Sequence, residues 1–177
     1  FFKPNQGAGS VGVMKIEDEA DFKYISQKFA DYVLQEYIDG TEFTVDALCD
    51  LKGNLCIAVP RKRIEIGPDQ VLKSVTFKDQ QILDYMKQLT SKYLFVGIFT
   101  VQGFQTPDGY FFTEINPRLG GGLTISIAAG APFYETLEKI ITNEPVSYSE
   151  DWQEGAYFSR AYADYSLNAL FEEKLNL

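Results

Sequence analysis

The sequence has 177 residues, a net charge of −9, 45% hydrophobic side chains, 14 Phe and 11 Tyr. A chain of this size and composition buries enough apolar surface for one globular domain or a pair of lobes. The excess of acidic residues argues against nucleic acid as a partner, because binding phosphates requires basic residues massed on one face. The absence of histidine excludes a Ser-His-Asp triad and a Cys-His pair, and it argues against a zinc enzyme.

The apolar runs are shorter than the roughly 18 residues of a membrane span, so we expect a cytoplasmic protein without a membrane partner. Cys49 and Cys56 lack a secretory context and are interpreted as reduced core residues. The chain starts at Phe1, within a segment that has strand character. We therefore expect that the N-terminal part of the domain is missing from it.

The opening stretch FFKPNQGAGSVGVMK contains the pattern GxGxxG at Gly7, Gly9 and Gly12. A dinucleotide-binding fingerprint needs a helix directly after the third glycine, and a Walker A loop needs a closing Gly-Lys-Ser/Thr. Here the apolar residues of 11–16 predict a returning strand, and neither requirement is met. Two interpretations remain, a plain hairpin turn or a glycine loop that folds over phosphates together with Lys3.

Further along the chain, the spacing of Phe22, Ile25 and Phe29 predicts a helix that begins at Asp18 or Glu19. Apolar and alternating patterns then predict strands and helices that mix into an α+β fold with an antiparallel sheet. The predicted elements are strands 32–38, 42–50 and 55–66, helix 78–94, strands 95–105 and 110–116, and helices 122–129 and 133–143.

Two of the predicted strands carry notable patterns. Strand 42–50 alternates strictly, which predicts one apolar face and one polar face that includes Asp46. In strand 55–66, Pro60 indicates an edge or a bulge, and the basic run of residues 61–63 is interpreted as a solvated strand edge.

A hairpin over residues 100–118 contains polar residues at its open end. The turn Thr106-Pro107-Asp108-Gly109 predicts a three-residue loop with a bulge, in which Thr106 pairs with Tyr110. In that register Gln102 lies opposite Glu114, and Asn116 projects from the same face as Glu114 because strand side chains alternate. Phe111 is expected on the opposite face, in the core.

One carboxylate and two amide oxygens suit Mg²⁺, which completes its octahedral shell with water and nucleotide phosphates. The alternative is that Glu114 and Asn116 only solubilise an exposed face of the sheet. Arg118, directly after Pro117, favours a site, since a guanidinium there reaches an anion held by the metal.

Three segments, KPNQGAGSVGV, LQEYIDGTEFTVD and FTEINPRLGGG, occur in an order and at spacings that resemble the ATP-grasp superfamily. The resemblance is strongest to the ATP-grasp domains of the carbamoyl phosphate synthase large subunit. It implies an α+β ATP-grasp fold, with two α+β lobes and a mostly antiparallel sheet. Residues 1–37 would be part of the small lobe with a glycine lid loop and 38–145 the large lobe with the nucleotide and metal site. Residues 146–177 form an unassigned C-terminal extension.

The resemblance also implies roles for single residues. Lys3 resembles the lysine that contacts the ATP phosphates, and Gly7, Gly9, Ser10 and Gly12 resemble the lid loop. Gln35, Glu36 and Ile38 match the hinge that reads adenine through the Glu36 carbonyl and the Ile38 N–H, and Glu42 matches an acidic residue on the ribose. Gln102, Glu114 and Asn116 match the metal ligands, and Arg118 the catalytic arginine after them.

The activity implied is that of an ATP-dependent ligase with Mg²⁺ or Mn²⁺, which activates a carboxylate or bicarbonate as an acyl phosphate for attack by an amine. An upstream domain of the same protein, or a partner subunit, is expected to complete the nucleotide site. The alternative is a nucleotide-binding or regulatory domain without turnover. The sequence does not identify the substrate, although Arg61, Arg63 and Lys73 are candidates for lining an anionic pocket.

Overall fold

The computed structural model describes residues 1–6, 11–67 and 71–161. Within these ranges it contains eight strands and four helices, and none of those helices is long and apolar enough to cross a membrane. The strands form two sheets, one of two strands and one of six, and every pairing between strands is antiparallel.

The small sheet pairs β1 (Phe2–Pro4) with β2 (Tyr32–Leu34) and is joined by helix α1 (Glu19–Lys28). Phe2 is fully buried, with its ring 5.1 Å from that of Phe29. The Asp18 carboxylate accepts a hydrogen bond from the Asp21 N–H at 2.8 Å and starts α1, as one of the two predicted caps. Burial of an aromatic side chain between two short strands and a helix therefore holds this unit together.

Two predictions for this unit are corrected. The returning strand over 11–16 is reduced, in the described residues, to one bridge between Met14 and Phe2. The strand predicted over 32–38 ends at Leu34. The Gln35 N–H still bonds the Phe1 carbonyl at 2.9 Å, but beyond it no backbone partner among the described residues continues the ladder.

The large sheet has the strand order β7-β6-β3-β4-β5-β8. Its strands are β3 (Thr41–Cys49), β4 (Leu55–Ile66), β5 (Val71–Thr76), β6 (Gly97–Thr106), β7 (Gly109–Asn116) and β8 (Tyr157–Ser159). Three helices lie between them in the chain: α2 (Gln80–Lys92), α3 (Leu123–Ala128) and α4 (Phe133–Ile141). Strands β5 and β8 are absent from the sequence-based prediction. Through β8, the segment that follows residue 145 adds a strand to this sheet.

Both faces of the large sheet are covered. Phe43, Val45 and Ala47 of β3 pack with Met86 of α2 on one face, and Leu48 packs with Phe133 of α4 on the other. The alternation of β3 was predicted correctly, but its second face is not solvated: Asp46 there is fully buried. Pro60 lies inside the sheet on β4, although pairing of that strand with β5 begins only at the next residue.

The β6–β7 hairpin reaches the predicted pairing by another route. Thr106 pairs with Gly109, so the loop has two residues, and a register shift follows between the Gly103–Phe112 and Gln102–Glu114 pairs. The shift leaves Thr113 as the extra residue and restores Gln102 opposite Glu114.

The same register shift overturns the prediction for Phe111. This residue pairs with Phe104, which shares a face with Gln102, and 41% of it is exposed. Phe112 takes the core side instead, with its ring 5.7 Å from that of Phe43.

Candidate functional site

A cleft of about 270 Å³ lies between the small sheet and one face of the large sheet. Seven of the residues selected from the sequence line it: Lys3, Gln35, Glu36, Ile38, Glu42, Gln102 and Glu114. They come from the small sheet, the segment after β2 and strands β3, β6 and β7. The fold therefore brings together residues that are up to 111 positions apart in the chain.

The large-sheet side of the cleft consists of rows of cross-strand neighbours that share one face. Glu42, Phe104 and Phe111 form the outermost row, and Thr44, Gln102 and Glu114 form the second. Asp46, Thr100 and Asn116 form the third, which lies deepest in the sheet. Strand alternation thus aligns the three predicted metal ligands on one side of the hairpin, as expected.

Glu114 is the centre of the polar contacts in the cleft. One of its carboxylate oxygens forms an ion pair with the Lys3 ammonium, and the other accepts a hydrogen bond from the Asn116 amide at 2.6 Å. Burial raises the pKa of the Glu114 carboxyl, but hydrogen bonds from Lys3 and Asn116 and the charges of Lys3 and Arg118 outweigh it. The net effect is a lowered pKa, so the group is a carboxylate at neutral pH.

Glu42 forms a second ion pair in the cleft, with Arg63 of β4. Burial raises the pKa of the Glu42 carboxyl, and the charge of Arg63 offsets only part of this effect. The negative charge of Glu114 contributes a further rise. The two carboxylates are therefore close enough to repel each other, which favours a cation between or beside them.

The segment after β2, residues 35–40, contributes to the lining of the cleft. Within the described part of the chain, neither the Glu36 carbonyl nor the Ile38 N–H has a hydrogen-bond partner. The Gln35 side-chain amide donates to the Thr113 carbonyl at 3.3 Å, which ties this segment to the register shift in β7. One free acceptor and one free donor, two residues apart, suit the edge of a planar heterocycle.

The remaining predicted site residues lie outside the cleft lining. Asn116 reaches the site through Glu114. Arg118 is exposed and donates to the Leu119 carbonyl at 3.1 Å, yet its charge acts on Glu114. Gly12 has φ +78° and lies against Pro4, while Gly7, Gly9 and Ser10 fall outside the described residues.

Behind the cleft, Asp46 and Arg61 form a buried ion pair with an Nε–Oδ2 distance of 2.7 Å. The Asp46 carboxylate also accepts hydrogen bonds from Thr100 at 3.3 Å and from Ser126 at 2.6 Å. The interpretation of residues 61–63 as a solvated edge is therefore wrong for Arg61, which is 2% exposed. A carboxylate pairs with each of Arg61, Arg63 and Lys73, and their role in an anionic pocket stays a prediction.

Several cleft residues were missed by the sequence analysis: Phe1, Val13, Tyr37, Asp39, Gly40, Phe104 and Thr113. Phe104 was within reach of sequence reasoning, since it lies two positions after Gln102 on the same strand and so shares its face. Thr113 was not, because its position depends on where the register shift falls in β7.

The chemistry of the predicted donors fits a hard divalent cation. Gln102, Glu114 and Asn116 offer one carboxylate and two amide oxygens on two neighbouring rows, a set suited to Mg²⁺ or Mn²⁺. Across the described ranges there is no cluster of three or more His, Cys, Asp or Glu side chains that would hold a metal. The assignment of Gln102, Glu114 and Asn116 as metal ligands stays a prediction.

Comparisons with known proteins identify relatives of this fold. A solved structure of the biotin carboxylase domain of Hydrogenobacter thermophilus 2-oxoglutarate carboxylase, in complex with MgADP, ADP and bicarbonate, matches with a TM-score of 0.66 and 19% identity over 88% of this chain and 39% of that one. Campylobacter jejuni biotin carboxylase, in complex with β-γ-ATP, matches with a TM-score of 0.65 and 17% identity over 88% and 40%. Rhizobium etli pyruvate carboxylase matches with a TM-score of 0.67 and 18% identity, over 88% of this chain and 16% of that one.

At these identities the structures establish the fold, and the chain spans less than half the length of each of them. The comparison with curated proteins gives no match. The α+β prediction with a mostly antiparallel sheet is confirmed, whereas a particular likeness to carbamoyl phosphate synthase stays a prediction. A family model described as "ATP-grasp in the biosynthetic pathway with Ter operon" matches residues 28–161, which is more than half of the chain. The chain belongs to the ATP-grasp family.

Proposed function

We propose that this chain forms the nucleotide site of an ATP- and Mg²⁺-dependent ligase, which activates a carboxylate or bicarbonate as an acyl phosphate for attack by an amine. One observation carries the proposal: Lys3, Glu42, Gln102 and Glu114 converge in a single cleft, next to the unpaired backbone groups of Glu36 and Ile38. ATP requires four kinds of contact: an ammonium for its phosphates, a carboxylate for its ribose hydroxyls, a backbone edge for adenine and a set of oxygens for its metal.

The charge of the cleft explains why a metal is needed. Four carboxylates line it, those of Glu36, Asp39, Glu42 and Glu114, against one ammonium, that of Lys3. A polyphosphate alone would be repelled by this surface. Gln102, Glu114 and Asn116 would hold Mg²⁺ or Mn²⁺, and the metal would supply neutralisation of the phosphate charge.

The protein's own contribution would be positioning. Lys3 would hold the phosphates from the small-sheet side, with the lid loop of Gly7, Gly9, Ser10 and Gly12 over them, and Arg118 would face the anion beside the metal site. Gln35, Glu36 and Ile38 would orient adenine. Transfer of a phosphoryl group to a bound carboxylate needs alignment and neutralised charge rather than a protein nucleophile, which agrees with a chain that lacks histidine.

Support for carboxylate or bicarbonate activation comes from the structural neighbours. One of them is a biotin carboxylase domain of the same fold, in complex with both MgADP and bicarbonate. The finer assignment to a carbamoyl phosphate synthase type rests on the sequence resemblance. Because the chain spans only part of these relatives, we further propose that an upstream domain or a partner subunit completes the phosphate site.

The test is ADP release by the full-length protein with bicarbonate or a panel of carboxylates, with and without amines. Glu114→Ala is expected to lower turnover by about a thousandfold, because it removes the one carboxylate of the metal set. Phe99→Ala is the matched control: Phe99 is buried on β6 and stacks on Phe95 at 4.5 Å, so its loss should reduce stability and preserve turnover in the folded fraction.

Near wild-type ADP release by Glu114→Ala would contradict the proposal. Binding of Mg-ADP without turnover under all substrate combinations would instead support a regulatory nucleotide-binding domain.

A further inference from the structure

The Lys3 ammonium lies directly on the carboxylate that the proposed function assigns to the metal. Lys3 belongs to β1 of the small sheet and Glu114 to β7 of the large sheet, and their ion pair bridges the cleft. Asn116 donates to the second oxygen of Glu114. Both oxygens of this carboxylate are therefore engaged by nitrogen donors.

We propose that Lys3 is a tethered cation that holds the metal position on Glu114, so that the cleft binds a metal–nucleotide complex in preference to the free metal. The inference rests on the proposed function and extends it to the selection of the ligand. Free Mg²⁺ or Mn²⁺ would have to displace this ammonium from Glu114. With a nucleotide present, the displaced ammonium gains the polyphosphate.

Lys3 pairs with Glu114 and with no other carboxylate among the described residues. Glu42 shares the cleft, but it is already paired with Arg63. Displacing Lys3 while a dication occupies Glu114 leaves two positive groups a few ångströms apart with one carboxylate between them. A polyphosphate removes this conflict, because it accepts both the ammonium and the metal.

The pair is also exposed enough to exchange. The side chains of Lys3 and Glu114 are 31% and 33% accessible, so both groups can be rehydrated while they separate. The Asn116 amide donates its N–H to Glu114. Rotation of the amide group would present its carbonyl oxygen instead. Replacement of Lys3 by a metal therefore requires side-chain movements rather than rearrangement of the sheet.

The experiment measures binding of Mn²⁺ alone, by the paramagnetic resonance signal of the free ion, to the wild type and to Lys3→Met. We expect the variant to bind Mn²⁺ up to about fivefold more tightly than the wild type, since an ion pair with this exposure stabilises by no more than about 1 kcal/mol. Adding ADP should raise Mn²⁺ affinity more in the wild type than in Lys3→Met, after subtraction of a protein-free titration of Mn²⁺ with ADP, because ADP itself binds the ion.

Two controls make the result specific. Lys87→Met removes the same charge from a lysine of α2 that lies beside Asp84 and Glu150, and it should behave like the wild type. Adding Glu114→Gln to Lys3→Met should abolish the gain, because the gain depends on the vacated carboxylate. Urea unfolding of each variant, with Lys3→Gln as a second substitution, identifies any loss of fold.

Equal Mn²⁺ affinities of the wild type and Lys3→Met, including no measurable binding to either, would overturn the inference. The proposed function fails by a different result, namely the absence of Mn-ADP binding and of ADP release by the full-length wild-type protein. The comparison with Mn²⁺ alone is independent of that result.

Discussion

Two acid–base pairs on the same face of the large sheet have opposite characters. Asp46 is fully buried, and four hydrogen bonds reach its carboxylate: from Arg61 Nε at 2.7 Å, Arg61 Nη2 at 3.2 Å, Thr100 at 3.3 Å and Ser126 at 2.6 Å. Glu114 is half-buried and receives two, from Lys3 and Asn116. The two carboxylates belong to adjacent rows of the sheet, yet one is enclosed and the other opens on the cleft.

The difference separates a fixed pair from an exchangeable one. A buried charge that loses its partner is left in a medium of low dielectric constant, so the Asp46–Arg61 pair cannot take up a ligand without a large loss of stability. The Glu114–Lys3 pair is near water, and separating it costs little. Asp46 therefore supports the strands that carry the site, whereas Glu114 is available for binding.

The largest expected effect comes from removing the buried carboxylate. Asp46→Ala leaves Arg61 charged and without its carboxylate partner, and we expect a loss of about 3–5 kcal/mol in the free energy of unfolding. Glu114→Ala should cost no more than about 1 kcal/mol. Urea unfolding followed by circular dichroism measures both values. Equal losses for the two substitutions would contradict the distinction between a fixed and an exchangeable pair.

A smaller effect is expected where the chain after Arg118 packs on the buried pair. A Cβ at Gly122 would lie 2.6 Å from Arg61 Nη1, whereas a Cβ at Gly121 meets no atom within 4 Å. We expect Gly122→Ala to cost about 1–3 kcal/mol by overpacking against the guanidinium. Gly121→Ala, the matched control, should stay within about 0.5 kcal/mol of the wild type.

The comparison of these two glycine variants by thermal or urea unfolding is direct, since they differ by one position in the same loop. A neutral Gly122→Ala would mean that the loop can move away from Arg61. The buried pair would then not fix the position of this loop, and its role would be confined to the sheet.

Much of the large sheet was predictable, because the alternation of side chains along a strand shows which residues share a face. Alternation in β3 placed Phe43, Val45 and Ala47 on the core face, and the pairing of Gln102 with Glu114 followed from the β6–β7 hairpin. The turn sequence itself misled, since Thr106 pairs with Gly109 rather than with Tyr110. The predicted loop is one residue too long, and the prediction lacks the register shift at Thr113. These two errors cancel, so the pairing of Gln102 with Glu114 is correct.

The remainder depends on tertiary contacts. The burial of Arg61 could not be read from a run of three basic residues, because it requires Asp46 on the neighbouring strand and a glycine at position 122 above it. Strand β8 is short, and its pairing with β5 joins positions more than 80 residues apart, which local pattern does not report. The ion pair of Lys3 with Glu114 likewise depends on how the two sheets face each other.

The smallest expected effect concerns pH. The pKa of Glu114 is lowered in the folded protein, with Lys3 among the causes. A carboxyl group whose folded pKa is depressed stabilises the fold above its unfolded pKa, which is near 4.5, and that contribution disappears as the pH falls through the folded value. In Lys3→Met the depression of the Glu114 pKa should be largely lost.

The wild type should therefore exceed Lys3→Met in stability by less than about 1 kcal/mol at neutral pH. The difference should shrink toward zero in acid, and added salt should reduce it at neutral pH because the pair is partly exposed. Urea midpoints measured from about pH 7 down to about pH 3 would give both curves across the range in which carboxyl groups titrate. A difference that stays constant into acid would mean that Lys3 stabilises the protein through its packing rather than through the charge of Glu114, and the pair would then not be the exchangeable one.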